Sequence, residues 1–173
     1  MYRPSASFAL PALGLLALLA SPAAAQEGLA GTWQHAGGGQ ESAAREAAIE
    51  AATEELSRMI RSRARGRLAE RTTPAPRLQI TVAGDAVTIT GPNGRLALTV
   101  GGPAVRVEGQ NGSGQVRATR RGGNLVVTMR GDGGTQTTTY RLSEDGRRLV
   151  LQVEMRGERL SAPLRFRATY RRR

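Results

Sequence analysis

The chain has 173 residues, no cysteine and a formal net charge of +11 at neutral pH. This length fits one domain once a leader is removed, and the lack of cysteine excludes disulfides, thiolate catalysis and lipid attachment to a cysteine. All 25 basic residues are arginine, and residues 72–173 hold 17 of them against 7 acidic residues. The positive excess therefore lies in the second part of the chain, where it favours anionic partners or an anionic setting.

Residues 1–25 have the pattern of a secretory signal peptide. Arg3 is followed by an apolar run over residues 8–20 and then by small residues up to Ala25. Signal peptidase needs small side chains at its cleavage site, and the apolar run is short for a bilayer span. The pattern predicts cleavage near Ala25 and a periplasmic or secreted protein with no transmembrane segment in the mature chain. The alternative is an uncleaved N-terminal anchor.

The mature chain opens with a short strand that contains Trp33, the only tryptophan, and His35, the only histidine. After three glycines, apolar residues recur at three- and four-residue spacing from Ile49 to Ile60, which predicts one long helix at about residues 42–68. Ser42 is the expected N-cap. Five glutamates in its first half, up to Glu55, are followed by five arginines from Arg58 to Arg67, an order that complements the helix dipole.

From Arg77 onward the apolar period changes from 3.6 to 2. About nine short strands follow, separated by glycine-rich turns such as Asn93-Gly94 and Gly122-Gly123. One face of each strand is apolar and the other is polar. Because one helix cannot cover nine strands, we predict a mainly β single domain over residues 26–173. Its antiparallel up-and-down meander closes into a barrel, with the helix inserted after the first strand.

An outer-membrane barrel is the competing architecture, since its lipid-facing side must be apolar. The strands here are short and the chain ends on Arg171-Arg172-Arg173. Outer-membrane barrels tend to end on an aromatic residue. The sequence therefore favours a barrel whose apolar side chains point inward.

The tripeptide Gly31-Thr32-Trp33 followed by a β-meander resembles the lipocalin-like, or calycin, group. This resemblance implies that Trp33 closes the barrel floor beneath an arginine from the last strands, with Arg165, Arg167 and Arg171 as candidates. The helix position departs from lipocalins, which usually place their long helix after the barrel. The Arg-x-Tyr pair of fatty-acid-binding proteins is not reproduced, because Arg167 and Tyr170 have opposite strand parity.

Few reactive side chains are present. With one histidine and neither cysteine nor lysine, most nucleophilic and metal sites cannot be assembled, so we expect no catalytic residues, no metal and no cofactor. His35 is interpreted as a packed or solvated residue at a strand end. Nucleic acid is not an expected partner, because single-strand binders need aromatic stacking platforms that this chain lacks.

The sequence is compatible with two functions. The first is a non-enzymatic exported protein that holds an apolar or amphiphilic small molecule, such as a lipid, inside the barrel. Its candidate ligand-binding residues are Trp33, Tyr140, Phe166 and Tyr170. The second is a structural envelope protein whose outer face binds anionic lipid headgroups or acidic polysaccharide. The arginines that would form that face lie at the strand positions that alternate with apolar residues. They are Arg77, Arg95, Arg117, Arg141, Arg165 and Arg167.

Overall fold

A computed structural model describes residues 28–109 and 112–173 as ten strands and two helices. The predicted signal peptide, residues 1–25, lies outside the described residues. In chain order the elements are β1 (Gly31–His35), α1 (Gly39–Ala52), α2 (Arg58–Thr72), β2 (Arg77–Ala83), β3 (Ala86–Gly91), β4 (Gly94–Thr99), β5 (Val105–Gly109), β6 (Gly112–Arg121), β7 (Asn124–Gly131), β8 (Gly134–Leu142), β9 (Arg148–Arg156) and β10 (Leu164–Arg172).

The strands form one antiparallel sheet in the order β4-β3-β2-β1-β10-β9-β8-β7-β6-β5. Strands β4 and β5 are its edges, and a parallel bridge between Val100 and Ala118 brings the chain after β4 against β6. The sheet therefore curls into a nearly closed barrel, as the meander predicted. Its tight turns follow the sequence signals: Gly122 and Gly123, between β6 and β7, both have positive φ angles, 53° and 79°.

The prediction of a single helix at residues 42–68 is wrong, because the segment forms two helices. The hydroxyl of Thr53 donates to the carbonyl of Ile49 at 2.8 Å, an alternative to helical backbone pairing. The Arg61 guanidinium donates to the carbonyl of Leu56, which lies in the break. Side chains thus satisfy backbone groups that a continuous helix would have paired. Ser42 lies inside α1, whose N-cap is Gly38.

The predicted apolar stripe also fails in α2. Met59 and Ile60 are 90% and 59% exposed, whereas Leu68 and Thr72 are buried. The break turns the first turn of α2 away from the barrel. This helix therefore presents two large apolar side chains and several arginines to solvent.

The barrel has two different ends. The floor end carries the start of β1, the end of β10 and the β6–β7 and β8–β9 turns. The helix end carries α1, α2 and the β9–β10 connection. There the backbone N–H of Ser161 donates to the carbonyl of Ala52 at 3.0 Å, so that this connection is bound to the end of α1.

Inward-pointing side chains from nine of the ten strands, together with Leu29, form one large buried cluster, which fills the floor half of the barrel. A smaller cluster joins the helices to the end of the sheet, where Ile49, Ala52 and Leu68 pack on Leu164 at the start of β10. Partly buried Met155 and Phe166 pack against it. Helix α1 is therefore seated on β9 and β10, on one side of the helix end.

Candidate functional site

Trp33 closes the floor of the barrel. Its side chain is 0% exposed, as expected from its place at the start of the first strand. The indole Nε1–H donates to the carbonyl of Leu29 at 2.9 Å, and Leu29 itself is buried. The segment before β1 therefore folds beneath the ring and seals it from solvent.

The arginine that covers Trp33 is Arg172, and not one of the expected candidates Arg165, Arg167 and Arg171. Its guanidinium carbon lies 4.5 Å from the centre of the indole ring. Arg172 is the direct partner of Trp33 in the β1–β10 register, so both side chains share the inner face. The three candidates lie at the alternate positions of β10, so their side chains point to the outer face. Side chains alternate between the two faces of a strand, and this alternation along the last strand could have identified Arg172 from the sequence.

Arg172 also ties the floor together. It donates to the carbonyls of Ala30 at 2.8 Å, Gly28 and, from Nε, Gly146 at 3.0 Å. The first two belong to the segment before β1, and Gly146 belongs to the β8–β9 turn. One side chain thus links three separate parts of the chain.

The four candidate aromatic residues divide between the two clusters. Trp33, Tyr140 and Tyr170 lie in the barrel core, and Phe166 lies half-buried at the helix end. Burial raises the pKa of Tyr170 to about 12, with a further contribution from the charge of Glu41. Burial, together with the neighbouring Tyr170, also raises the pKa of Tyr140. Both phenols are therefore neutral, packed groups.

The interior near the floor offers little space. A narrow gap reaches the core between Leu29, Val100 and Leu125, but it has no room for a water molecule. At the helix end the inward-facing side chains are less covered. Leu96, Val107 and Met129 pack on the core yet remain partly exposed, on strands other than β9 and β10, which seat α1. These three residues are called the mouth residues below.

Glu41 fastens α1 to the barrel. Its carboxylate accepts hydrogen bonds from the backbone N–H of Thr169 at 3.1 Å and from the Thr169 hydroxyl at 2.5 Å. Strand β1 ends just before this point, and the carboxylate takes the place of the missing strand partner. His35 Nε2 lies 3.7 Å from Glu41 Oε2, and the His35 ring meets Tyr170 edge-on at 5.4 Å. Nothing in the sequence pattern marked Glu41 for this position.

All six arginines predicted for the outer face are exposed. Arg165 pairs with Glu154 at 2.8 Å, and Arg167 approaches Glu41 at 3.8 Å. Hydrogen bonds from Arg165 and Arg156 hold the pKa of Glu154 below its usual range. The other four, Arg77, Arg95, Arg117 and Arg141, make no ion pair with any residue that the structure describes.

An open cleft of about 380 Å³ lies on the outside of the barrel, beside β10 and the first turn of α1. Arg148, Arg167 and Arg171 line it, together with residues 36–41 and Thr169. It is called the outer cleft below. Within residues 28–109 and 112–173, no group of acidic and histidine side chains could hold a metal ion. No helix of that part is long and apolar enough to cross a membrane.

No protein-family model and no curated protein matches the sequence. Solved structures do match in fold. A secretary abundant heat soluble protein from Ramazzottius varieornatus aligns with a TM-score of 0.55 at 13% identity, over 85% of this chain and 96% of that one. Lipid binding protein 8 from Caenorhabditis elegans aligns at 0.53 with 14% identity, over 84% and 96% of the two chains.

Fatty-acid-binding protein 1 from Echinococcus granulosus gives a TM-score of 0.52 at 11% identity, over 84% of this chain and 98% of that one. These identities are low, so the likeness concerns the fold. For the fold, the resemblance seen in Gly31-Thr32-Trp33 and the meander is confirmed. The chain therefore shares the β-barrel fold of these proteins.

Proposed function

We propose that this protein is a non-enzymatic binding protein for an apolar or amphiphilic small molecule, which it takes up at the helix end of the barrel. The observation that carries the proposal is the set of mouth residues, Leu96, Val107 and Met129, which leave apolar surface partly open there. The similar structures include proteins named for lipid and fatty-acid binding, which supports the same ligand class.

The ligand's apolar part would lie at the helix end of the barrel, between the mouth residues on one side and α1 with β9 and β10 on the other. Phe166 and Met155 are half-buried there, and methionine side chains adapt readily to the shape of a ligand. The floor half is filled by Trp33, Tyr140 and Tyr170, which in this proposal support the site from below. A polar headgroup would stay at the mouth, in contact with solvent.

Native mass spectrometry of protein purified from its own host tests the proposal without a choice of ligand. The matched variants are Met129→Arg and Thr128→Arg, which add the same charge to adjacent residues on opposite faces of β7. We expect Met129→Arg to lose a co-purified small molecule and Thr128→Arg to retain it. A ligand-free wild-type protein that also fails to bind fatty acids in titration would contradict the proposal.

The proposed setting is the periplasm or the exterior, after cleavage near Ala25. The supporting pattern is the charged start, apolar run and small residues of residues 1–25. N-terminal sequencing of the purified protein should begin at Gln26. Retention of Met1 in a membrane pellet would contradict export of a cleaved protein.

A second candidate function is adhesion of the outer face to an anionic envelope surface. The observation that favours it is that Arg77, Arg95, Arg117 and Arg141 are exposed and lack ion-pair partners among the described residues. Exposed Met59 and Ile60 next to the arginines of α2 favour a lipid surface over polysaccharide, because apolar side chains can enter the headgroup region.

A further inference from the structure

Two arginines face each other on the outer surface of the barrel. Arg148 and Arg171 are direct partners in the β9–β10 register, and both side chains are exposed. Like charges at directly opposed positions destabilise a strand pair. Neither side chain has a hydrogen bond or ion pair with any described residue. Asp145, in the β8–β9 turn, interacts electrostatically with Arg148, but among the described residues no carboxylate forms an ion pair with either arginine.

The opposed pair lies in the outer cleft, where a third guanidinium joins it. Arg167 lines the same cleft from β10, four residues before Arg171. The volume of about 380 Å³ is at the lower end of the range for small-molecule sites. Guanidinium groups present planar N–H forks that match the oxygens of phosphate and carboxylate.

The opposite wall of the cleft adds backbone donors. The first turn of α1 lines it, and no side chain caps that turn. The N–H groups of Glu41 and Ser42 donate to the carbonyl of Gly38, which leaves those of Gly39 and Gln40 without an acceptor among the described residues. Gly38 and Gly39 have open space beside their Cα atoms, so an anion can approach their backbone. Gly37 is different, because a Cβ there would meet the Glu41 carboxylate at 1.9 Å. Glycine at this position lets the loop run directly over Glu41.

Glu41 is the one acidic side chain in the lining, and its carboxylate is already engaged. It is 10% exposed and bonded to the backbone and hydroxyl of Thr169. Arg167 Nε also lies 3.8 Å from this carboxylate, so Arg148 and Arg171 are the two guanidinium groups in excess. A phosphate monoester carries nearly two negative charges at neutral pH and three acceptor oxygens, which fits this excess better than a single carboxylate does.

We propose that the outer cleft is a binding site for a phosphate monoester, held by Arg148, Arg167 and Arg171 with the backbone N–H groups of Gly39 and Gln40. The site lies on the outside of the barrel and is independent of a ligand in the interior. A phosphate monoester can belong to a soluble phosphorylated molecule or to the headgroup of phosphatidic acid.

The test compares three proteins: the wild type, the double variant Arg148→Gln/Arg171→Gln, and the control Arg121→Gln/Arg130→Gln, two exposed arginines outside the set proposed for the anionic face. The control removes the same charge from exposed positions outside the cleft. Inorganic phosphate and glycerol phosphate are titrated by calorimetry and by amide NMR. Vesicles of phosphatidylcholine with and without phosphatidic acid are tested by co-sedimentation.

We expect saturable binding to wild type and control, with amide shifts concentrated at residues 37–40. The cleft variant should bind at least about tenfold more weakly, since it loses hydrogen bonds to a charged group. Cleft-dependent binding of glycerol phosphate identifies the soluble source, and cleft-dependent binding of phosphatidic acid vesicles alone identifies the lipid. Equal losses in both double variants would overturn the proposal, as would a lack of saturable binding to inorganic phosphate, glycerol phosphate and phosphatidic acid vesicles alike.

Discussion

Arg172 lies over the ring of Trp33, with its guanidinium carbon 4.5 Å from the ring centre, and the two residues are direct partners in the β1–β10 register. This contact joins the first and last strands of the barrel. Because Arg172 also donates to the segment before β1 and to the β8–β9 turn, the pair forms the closure of the floor.

The first prediction concerns the stability that Trp33 provides. Trp33→Ala should lower the free energy of unfolding by about 3–5 kcal/mol, because it removes a large, fully buried side chain and leaves a cavity. Urea unfolding followed by circular dichroism measures this. The native protein should also show the fluorescence maximum of a buried indole, and an exposed-type maximum would contradict the burial.

The second prediction separates Arg172 from the other arginines at the chain end. Arg172→Gln should cost about 2 kcal/mol of unfolding free energy, because it removes the cation–π contact and hydrogen bonds from a charged donor. Arg173→Gln is the control and should change stability by less than about 0.5 kcal/mol, as exposed substitutions usually do. Equal effects of the two substitutions would show that the floor contacts add no stability.

The third prediction concerns the attachment of α1. Glu41→Ala removes the acceptor for the backbone N–H and hydroxyl of Thr169, so it should destabilise the fold by about 1–3 kcal/mol. Hydrogen exchange should show the loss of protection mainly in α1 and at Thr169. Glu46→Ala, in the same helix but exposed, is the control. Uniform loss of protection across all strands would argue against a local fastening role.

The fourth prediction is a loss of stability at alkaline pH. Tyrosine in an unfolded chain titrates near pH 10, whereas burial raises the pKa of Tyr170 to about 12 and that of Tyr140 as well. Between these values the unfolded state releases protons that the folded state keeps. The free energy of unfolding should therefore be highest below about pH 10 and fall as pH rises toward about 12.

Urea unfolding at several alkaline pH values, with tyrosinate absorbance as a second signal, tests this prediction. Tyr170→Phe should weaken the pH dependence of the unfolding free energy. Tyrosinate absorbance that rises near pH 10 while the protein stays folded would contradict it.

The fifth prediction tests the arginines of the outer face. Co-sedimentation with anionic vesicles should fall as salt rises, because added ions shorten the Debye length below about 8 Å. Arg95→Glu/Arg117→Glu should reduce this binding without unfolding the barrel. Arg58→Glu/Arg63→Glu makes the same charge change on α2. A larger loss from the α2 variant would assign the contact to that helix, and equal binding to neutral vesicles would exclude a charge-driven contact.

The strand pattern of this chain was determined locally. Alternation such as Leu78, Ile80 against Gln79, Thr81, and turns such as Gly122-Gly123, depend on residues close in sequence, so the meander and its inward face could be predicted from them. The buried position of Trp33 followed from the same alternation. For the same reason, the exposure of all six outer-face arginines could be anticipated.

Tertiary structure decided which distant residues meet. The β1–β10 register selects Arg172 over its neighbours as the cover of Trp33, and the β9–β10 register places Arg148 opposite Arg171. The helix break at Thr53 and the bonds from Thr169 to Glu41 depend on how the helices are seated on the sheet. These contacts join residues far apart in the chain, so their geometry is set by strand register and packing, which no local pattern encodes.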